Sequence, residues 1–135
     1  MGDSVVGEIE AGALVLVGVS PDDGNDQAVW LADKVANLRI FRDSDDKMNL
    51  SLLDSGGSVL LVSQFILYGD ARKGRRPSFI RAAGGPEAER IFERCAQALR
   101  DLDLPTQTGE FGAMMSVELV NDGPVTILLD SDRTF

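Results

Sequence analysis

Two short, uninterrupted apolar runs set the terms on which this chain can fold. Residues 13–19 (ALVLVGV) and 58–65 (SVLLVSQF) are rich in β-branched side chains. Turn chemistry bounds both: Ser20-Pro21-Asp22-Asp23-Gly24 ends the first, and Asp54-Ser55-Gly56-Gly57 precedes the second. Runs of this kind read as buried strands. The first is too short to span a bilayer. Two helices are expected beside them. Between residues 26 and 39, Ala28, Leu31, Val35 and Leu38 recur at spacings of three and four and form one apolar stripe, with Asp26 placed to cap it. Trp30 lies off the stripe and is either a second packing contact or part of a ligand site. Gly85-Pro86 opens the second helix, proline being tolerated at the first helical position, where its missing N–H has no partner to lose. Its buried stripe is Ala88, Ile91, Phe92, Cys95, Leu99 and Leu102.

The remaining segments are read more locally. Ile40-Phe41 closes a short strand, residues 42–47 make a polar turn, and residues 48–53 are open between strand and loop. Residues 67–81 form a long irregular stretch that starts directly at a strand end, a pattern of functional or disordered loops. Residues 106–112 read as a loop, 113–120 as a strand, 121–124 as a tight turn and 125–129 as the last strand. The expectation is an α/β fold: a single domain over residues 1–135, with a central mixed or antiparallel sheet or open barrel and two main helices. A chain of 135 residues fits one domain, and at this size a second copy covering an apolar face would be a material gain.

Composition narrows the chemistry. The chain has no histidine and one cysteine, which excludes Ser-His-Asp and Cys-His catalysis and ordinary catalytic zinc sites. Cys95 belongs to a helix stripe that points inward and has no imidazole to activate it, so it reads as a small core hydrophobe. Gly18-Val19-Ser20-Pro21-Asp22 has neither Rossmann nor P-loop spacing. No cofactor and no metal are expected. A net charge of −9 repels nucleic acid and anionic membranes at long range. Contact with RNA must then be local, and no membrane partner is expected. The N-terminus carries acid and lacks a basic region, which reads as a cytoplasmic protein.

Three segments combine polar groups with unusual backbone demands. In Ser63-Gln64-Phe65-Ile66-Leu67-Tyr68-Gly69-Asp70 a buried apolar strand abruptly presents a hydroxyl and an amide, which either satisfy backbone partners or line a pocket rim. Arg72-Lys73-Gly74-Arg75-Arg76-Pro77-Ser78-Phe79 puts four cations in five residues, either a solvated charge run or a docking patch for phosphates, with Phe79 free to stack a base or anchor the loop. Asn121-Asp122-Gly123-Pro124-Val125-Thr126 joins two expected strands and is either a plain hairpin or a site where a cis Gly-Pro bond exposes a rigid backbone surface.

These segments, with Gln107-Thr108-Gly109-Glu110-Phe111-Gly112 and the order in which all four occur, resemble the D-aminoacyl-tRNA deacylases. The resemblance extends from Gly7-Glu8-Ile9 to the last strand. It implies hydrolysis of the ester of tRNA carrying a D-amino acid, and of mischarged glycyl-tRNA, by the substrate's own ribose 2′-hydroxyl with backbone amides stabilising the carbonyl oxygen. It implies a homodimer in which a cis Gly123-Pro124 enters the partner's pocket and selects chirality. Ser63, Gln64 and Phe65 would line the catalytic pocket; Phe111, Gly112, Ala113, Met115 and Thr126 would form further wall; Arg72, Lys73, Arg75, Arg76 and Phe79 would meet the tRNA. Two departures accompany it. Members commonly carry threonine after SQF where this chain has Ile66, and they begin with a further strand, whereas this chain starts inside what resembles the second. A non-catalytic aminoacyl-tRNA-binding module of the same descent is the alternative.

Overall fold

The computed structural model describes residues 4–134. Three strands form a parallel sheet in the order β1-β4-β5, with β1 at Gly12–Val17, β4 at Ser58–Ser63 and β5 at Thr106–Thr108. The register pairs Ala13 with Val59, Val15 with Leu61 and Val17 with Ser63. The two apolar runs therefore lie side by side. A parallel sheet needs crossover connections, usually helical, and the two long helices supply them: α1 (Asn25–Asn37) falls between β1 and β4, and α3 (Gly85–Asp101) between β4 and β5. A hairpin of β2 (Phe41–Arg42) and β3 (Met48–Leu50), followed by a one-turn helix α2 (Leu52–Ser55), lies within the first crossover.

Alternation along the strands explains where the core sits. Val17, Val59 and Leu61 are buried and Ala13 and Val15 partly so, all in one cluster with Ala28, Ala32, Val35 and Ala36 of α1 and Ala88, Ile91, Phe92, Cys95 and Leu99 of α3. The α3 stripe matches the spacing expected of it. On α1 the buried line runs through Ala28, Ala32, Val35 and Ala36, with Leu31 only partly buried. Small side chains there let α1 and α3 approach closely. The cap of α1 is Gly24 and not Asp26: the Gly24 N–H donates to Gln27 Oε1 at 2.8 Å, while Asp26 lies in the first turn, where a carboxylate favours the helix dipole. At α2, Ser51 and Asp54 cap each other reciprocally through Asp54 N–H to Ser51 Oγ and Ser51 N–H to Asp54 Oδ2.

One open reading is resolved and two expectations are corrected. Residues 48–53, open from sequence, divide into β3 and the start of α2. Thr106–Thr108 is a strand within what read as a loop, paired in parallel to residues 59–61. Residues 113–120 and 125–129 read as strands but have no ladder among the described residues. Alternating apolar residues make a segment competent for a sheet, but its N–H and C=O groups still need a neighbour to pair with. Much of this C-terminal segment is solvated, with Met114 93% and Val120 92% exposed.

Gly12, where β1 begins, shows how tightly β1 meets β4. Its φ of 154° is in the region glycine favours, and a Cβ there would lie 1.9 Å from the Ser58 carbonyl oxygen. Leu61 sits fully buried between the two helices and the sheet. Leu61→Ala is expected to destabilise the fold by about 3 kcal/mol through lost burial and the cavity left behind. Urea unfolding checks this, and a loss under about 0.5 kcal/mol, the range of surface substitutions, would contradict the packing described.

Candidate functional site

In open sheets with parallel strands, ligands gather at the carboxyl ends of the strands, where loops diverge. All three strands of this sheet deliver residues to that end. β4 stops at Ser63, and the Gln64 N–H donates to the Val17 carbonyl at 2.7 Å, holding the strand end against β1. The chain then turns through a short 3-10 helix, Phe65–Tyr68. Phe65 and Ile66 open this turn, where helical geometry gives their N–H groups no internal acceptor. Among the described residues no other acceptor is found for them, nor any hydrogen-bond partner for the side chains of Ser63 and Gln64. Phe65 and Ile66 are each more than half exposed. An aromatic ring, a hydroxyl, an amide and two free N–H groups therefore gather at one strand end.

β5 brings the second wall. Gly109 N–H donates to the Leu61 carbonyl at 3.2 Å, so the QTGEFG segment leaves the sheet beside β4. Phe111 is anchored on Phe92 of α3 at 5.7 Å between ring centroids. Met115 returns over this edge, its sulfur 3.1 Å from where a Cβ on Gly109 would stand, with Val62 nearby. Gly112 takes a positive φ and Ala113 N–H closes onto the Glu110 carbonyl. Ser63, Gln64, Phe65, Phe111, Gly112, Ala113 and Met115 thus belong to the outgoing ends of two adjacent strands.

The Gly123-Pro124 bond is cis. Asn121 braces the turn by accepting from Val125 N–H at 2.9 Å and donating to Thr126 Oγ1 at 3.1 Å. Gly123 has φ 149°, and the three atoms nearest a Cβ placed there all belong to Val125. A side chain at 123 is therefore strained in backbone and crowded by its neighbour. Residues 121–124 are exposed. Among the described residues, the side-chain hydrogen bonds of this turn lie within it, and none reaches Ser63, Gln64 or Phe65 of the same chain.

The basic stretch is a folded loop. Asp70 and Ser78 form an antiparallel bridge, with both backbone hydrogen bonds made at 2.7 and 2.9 Å. Phe79 packs edge-on against Phe65 at 5.1 Å, tying the loop to the strand end. Arg72 turns back onto Asp70, its Nη2 2.6 Å from Oδ2, and the guanidinium holds that carboxyl well below the usual range. Lys73, Arg75 and Arg76 have no ion-pair partner among the described residues.

Two further groups bear on reactivity. Burial pushes the Cys95 thiol up to about 11, which keeps it protonated and unreactive at neutral pH. Tyr68 lies within the Ser63 to Asp70 segment singled out in the sequence but is given no role of its own there. Its ring packs against Gly18 at the end of β1, and it is pushed up to about 12, first by burial and then by the nearby charges of Asp23, Asp130 and Asp132. It stays a neutral phenol at neutral pH and is no base there. Among the described residues, no group of three His, Cys, Asp or Glu is arranged to hold a metal ion, and no helix is long and apolar enough to cross a membrane.

Comparison with known proteins gives a consistent result. The family profile described as D-Tyr-tRNA(Tyr) deacylase matches residues 1–130. The chain is 53% identical over 131 residues to the D-aminoacyl-tRNA deacylase of Clostridium beijerinckii, covering 97% of this chain and 88% of that one. It is 55% identical over 133 residues to the D-aminoacyl-tRNA deacylase of Thermotoga petrophila, covering 98% and 89%. It is also 54% identical over 131 residues to a Bacillus subtilis protein named an inactive D-aminoacyl-tRNA deacylase, covering 97% and 99%. Among solved structures, one titled c-Myc DNA Unwinding Element Binding Protein superposes with a TM-score of 0.84 at 37% identity, over 91% of this chain and 84% of that chain. A probable eukaryotic D-amino acid tRNA deacylase shares the fold, with a TM-score of 0.64 at 16% identity over 78% and 77%.

The state of Tyr68 is directly measurable, because it is the only tyrosine. A folded-state pKa raised above the unfolded value of 10.0 means that the neutral phenol stabilises the fold below pH 10, a contribution lost as pH rises through about 12. Phenolate absorbance should therefore titrate near pH 12 in the folded protein. A midpoint near 10 with the fold intact would mean that the ring is not packed at the end of β1.

Proposed function

Because the chain belongs to the D-Tyr-tRNA(Tyr) deacylase family, we propose that it hydrolyses the ester bond of D-aminoacyl-tRNA, releasing a free D-amino acid and tRNA, and treats mischarged glycyl-tRNA alike. The observation that carries the reading is the outgoing end of β4, where Ser63, Gln64 and Phe65 stand with unengaged polar groups beside the Phe111 to Met115 wall. In this reading the whole chain acts as one unit in the cytoplasm.

The mechanism follows from what the chain has to work with. It contains no histidine, its thiol is buried and neutral, and its tyrosine is neutral. The protein is therefore poorly equipped to supply a conventional base or nucleophile. The substrate supplies its own: the ribose 2′-hydroxyl adjoining the ester assists a water molecule that attacks the ester carbonyl. The bond from that carbonyl to the ribose 3′-oxygen then breaks, and the 3′-oxygen leaves with a proton as tRNA while the acid is released. The carbonyl oxygen gains charge as the tetrahedral species forms. Free N–H groups at Phe65 and Ile66 are the donors assigned to it, since amides already fixed in place stabilise developing charge without reorganising. Phe65 packs the terminal adenosine, and Ser63 and Gln64 orient it. Ile66 has no hydroxyl and serves through its backbone alone.

Chirality is read by backbone shape. Gly123 and Pro124 present a surface without a Cβ at Gly123, and Asn121 keeps Val125 and Thr126 in place around it. A D-residue directs its side chain away from this surface and glycine has none, whereas an L-side chain collides with it. Since, among the described residues, no side-chain hydrogen bond ties the turn to the Ser63 end of its own chain, the reading assigns it to the pocket of a second copy. The solvated apolar residues Met114, Val117, Leu119, Val120, Ile127 and Leu128 are then buried in a homodimer. Docking of the tRNA acceptor end falls to the basic loop, with Phe79 securing it to Phe65.

A second reading, a non-catalytic aminoacyl-tRNA-binding module, is favoured by one observation. A relative named as inactive is as similar to this chain, at 54% identity, as relatives named as active.

The proposal separates two substitutions by more than their chemistry suggests. Ser63→Ala should retain turnover within about tenfold, because the hydroxyl is not the nucleophile. Gly123→Val should lower D-specific release at least about a hundredfold, because the side chain fills the space that an acceptable substrate uses. Release of D- and L-amino acid from charged tRNA under single-turnover conditions reads both. A Gly123→Val protein with wild-type rate and D/L ratio would contradict the assignment.

A further inference from the structure

The basic loop holds four cations, but they do not stand in equivalent surroundings. Asp70 receives the Arg72 backbone N–H at 3.0 Å, Arg72 Nε at 2.9 and 3.1 Å, and Arg72 Nη2 at 2.6 Å. One face of the guanidinium fork is thereby committed to a carboxylate in two-pronged fashion, the strong arrangement for this pair. Through its own backbone, Asp70 makes both hydrogen bonds to Ser78, across the base of the loop. The next residue, Phe79, packs on Phe65. A single residue therefore joins the strand-end turn, the basic side chains and the aromatic anchor. Farther out the loop has little else to hold it: residues 71–80 are exposed, and nothing lies within 4 Å of a Cβ placed on Gly74.

Resting on the tRNA-directed reading above, we infer that Asp70 is the positioning residue of this loop and that Arg72 is its internal counter-ion, so that phosphate docking falls to Lys73, Arg75 and Arg76 alone. The charges argue for this division. A phosphate approaching Arg72 meets a pair with no net charge. To take the guanidinium fork it must displace Asp70 and leave two anions facing each other. A cleft of about 580 Å³ is lined by Asp70, Arg72, Lys73, Ser78 and Ile80, so Asp70 is among the groups that a phosphate entering it meets. Lys73, Arg75 and Arg76 have no such partner among the described residues. Asp70 fixes the base of the loop that carries these three, and without it the loop must be ordered at the moment of binding.

Equilibrium binding of uncharged tRNA across a salt series tests the division without any need for hydrolysis. Arg75→Gln and Arg76→Gln should each make the slope of log affinity against log salt shallower by about 0.9, the signature of one lost phosphate contact on a duplex. Arg72→Gln should weaken binding several-fold and keep the wild-type slope. Arg72→Lys should fall with Arg72→Gln, because a lysine cannot reproduce the fork to Asp70. Asp70→Asn should match both, and the double variant Asp70→Asn with Arg72→Gln should be no weaker than either single one, since the two act as one unit. The inference is overturned if Arg72→Gln reduces the slope as Arg75→Gln does, if Arg72→Lys binds as wild type, if Asp70→Asn tightens binding, or if the protein binds no tRNA. The expected pattern in a protein that fails to cleave D-aminoacyl-tRNA would sustain the inference and refute the hydrolase reading, so the two failures are distinguishable.

Discussion

Everything placed at the candidate site depends on the hydrogen-bonded ladder of β4. This strand is paired in parallel on both sides, to β1 and β5, and its apolar residues Val59 and Leu61 have no accessible surface. Parallel pairing points all three strands the same way, so three separate stretches of sequence end at one edge. The crossovers that parallel pairing demands are α1 and α3, and their packing on one face of the sheet makes the core. The 3-10 turn of Phe65–Tyr68, the QTGEFG segment and the base of the basic loop hang from that edge. A site built largely of N–H groups and shape needs this rigidity, because a backbone donor is useful only where it is already fixed when charge develops.

Much of this was legible in the chain. The α3 stripe could be read because a long, strongly periodic segment leaves little choice of buried face. β1 and β4 could be read because short β-branched runs between turns have few alternatives. Other features were hidden for specific reasons. Thr106-Gln107-Thr108 is short and polar, lies between Pro105 and Gly109, and becomes a strand because β4 offers an open edge. Residues 113–129 show the converse. Their alternation reports competence for a sheet, but pairing belongs to two segments jointly and is not encoded in one of them. The cap falls at Gly24 and not at Asp26, with the Gln27 side chain reaching back to accept from the Gly24 N–H.

The candidate site was legible as a set of segments and less so as a set of contacts. That Ser63, Gln64 and Phe65 lie with Phe111, Gly112, Ala113 and Met115 follows from the parallel order β4-β5, which the sequence did not disclose. Counting cations in residues 72–76 overstated their availability, because Asp70, just before them, engages Arg72. The net charge of −9 argues against nucleic acid at a distance, but screening confines that field to about a Debye length, roughly 8 Å at physiological salt. Within that distance the local cluster decides what docks.

The function proposed above is that backbone amides at the end of β4, with a turn that has no Cβ at Gly123, hydrolyse a D-aminoacyl ester without a protein base. Release of amino acid from matched D-tyrosyl- and L-tyrosyl-tRNA by the unaltered 135-residue chain, in the same buffer and at the same enzyme concentration, tests it most directly. Fast release from the D-ester is expected, with release from the L-ester at the rate of buffer alone. Absence of D-specific release by protein that is folded and binds the charged tRNA would contradict it and leave the binding-module reading in its place.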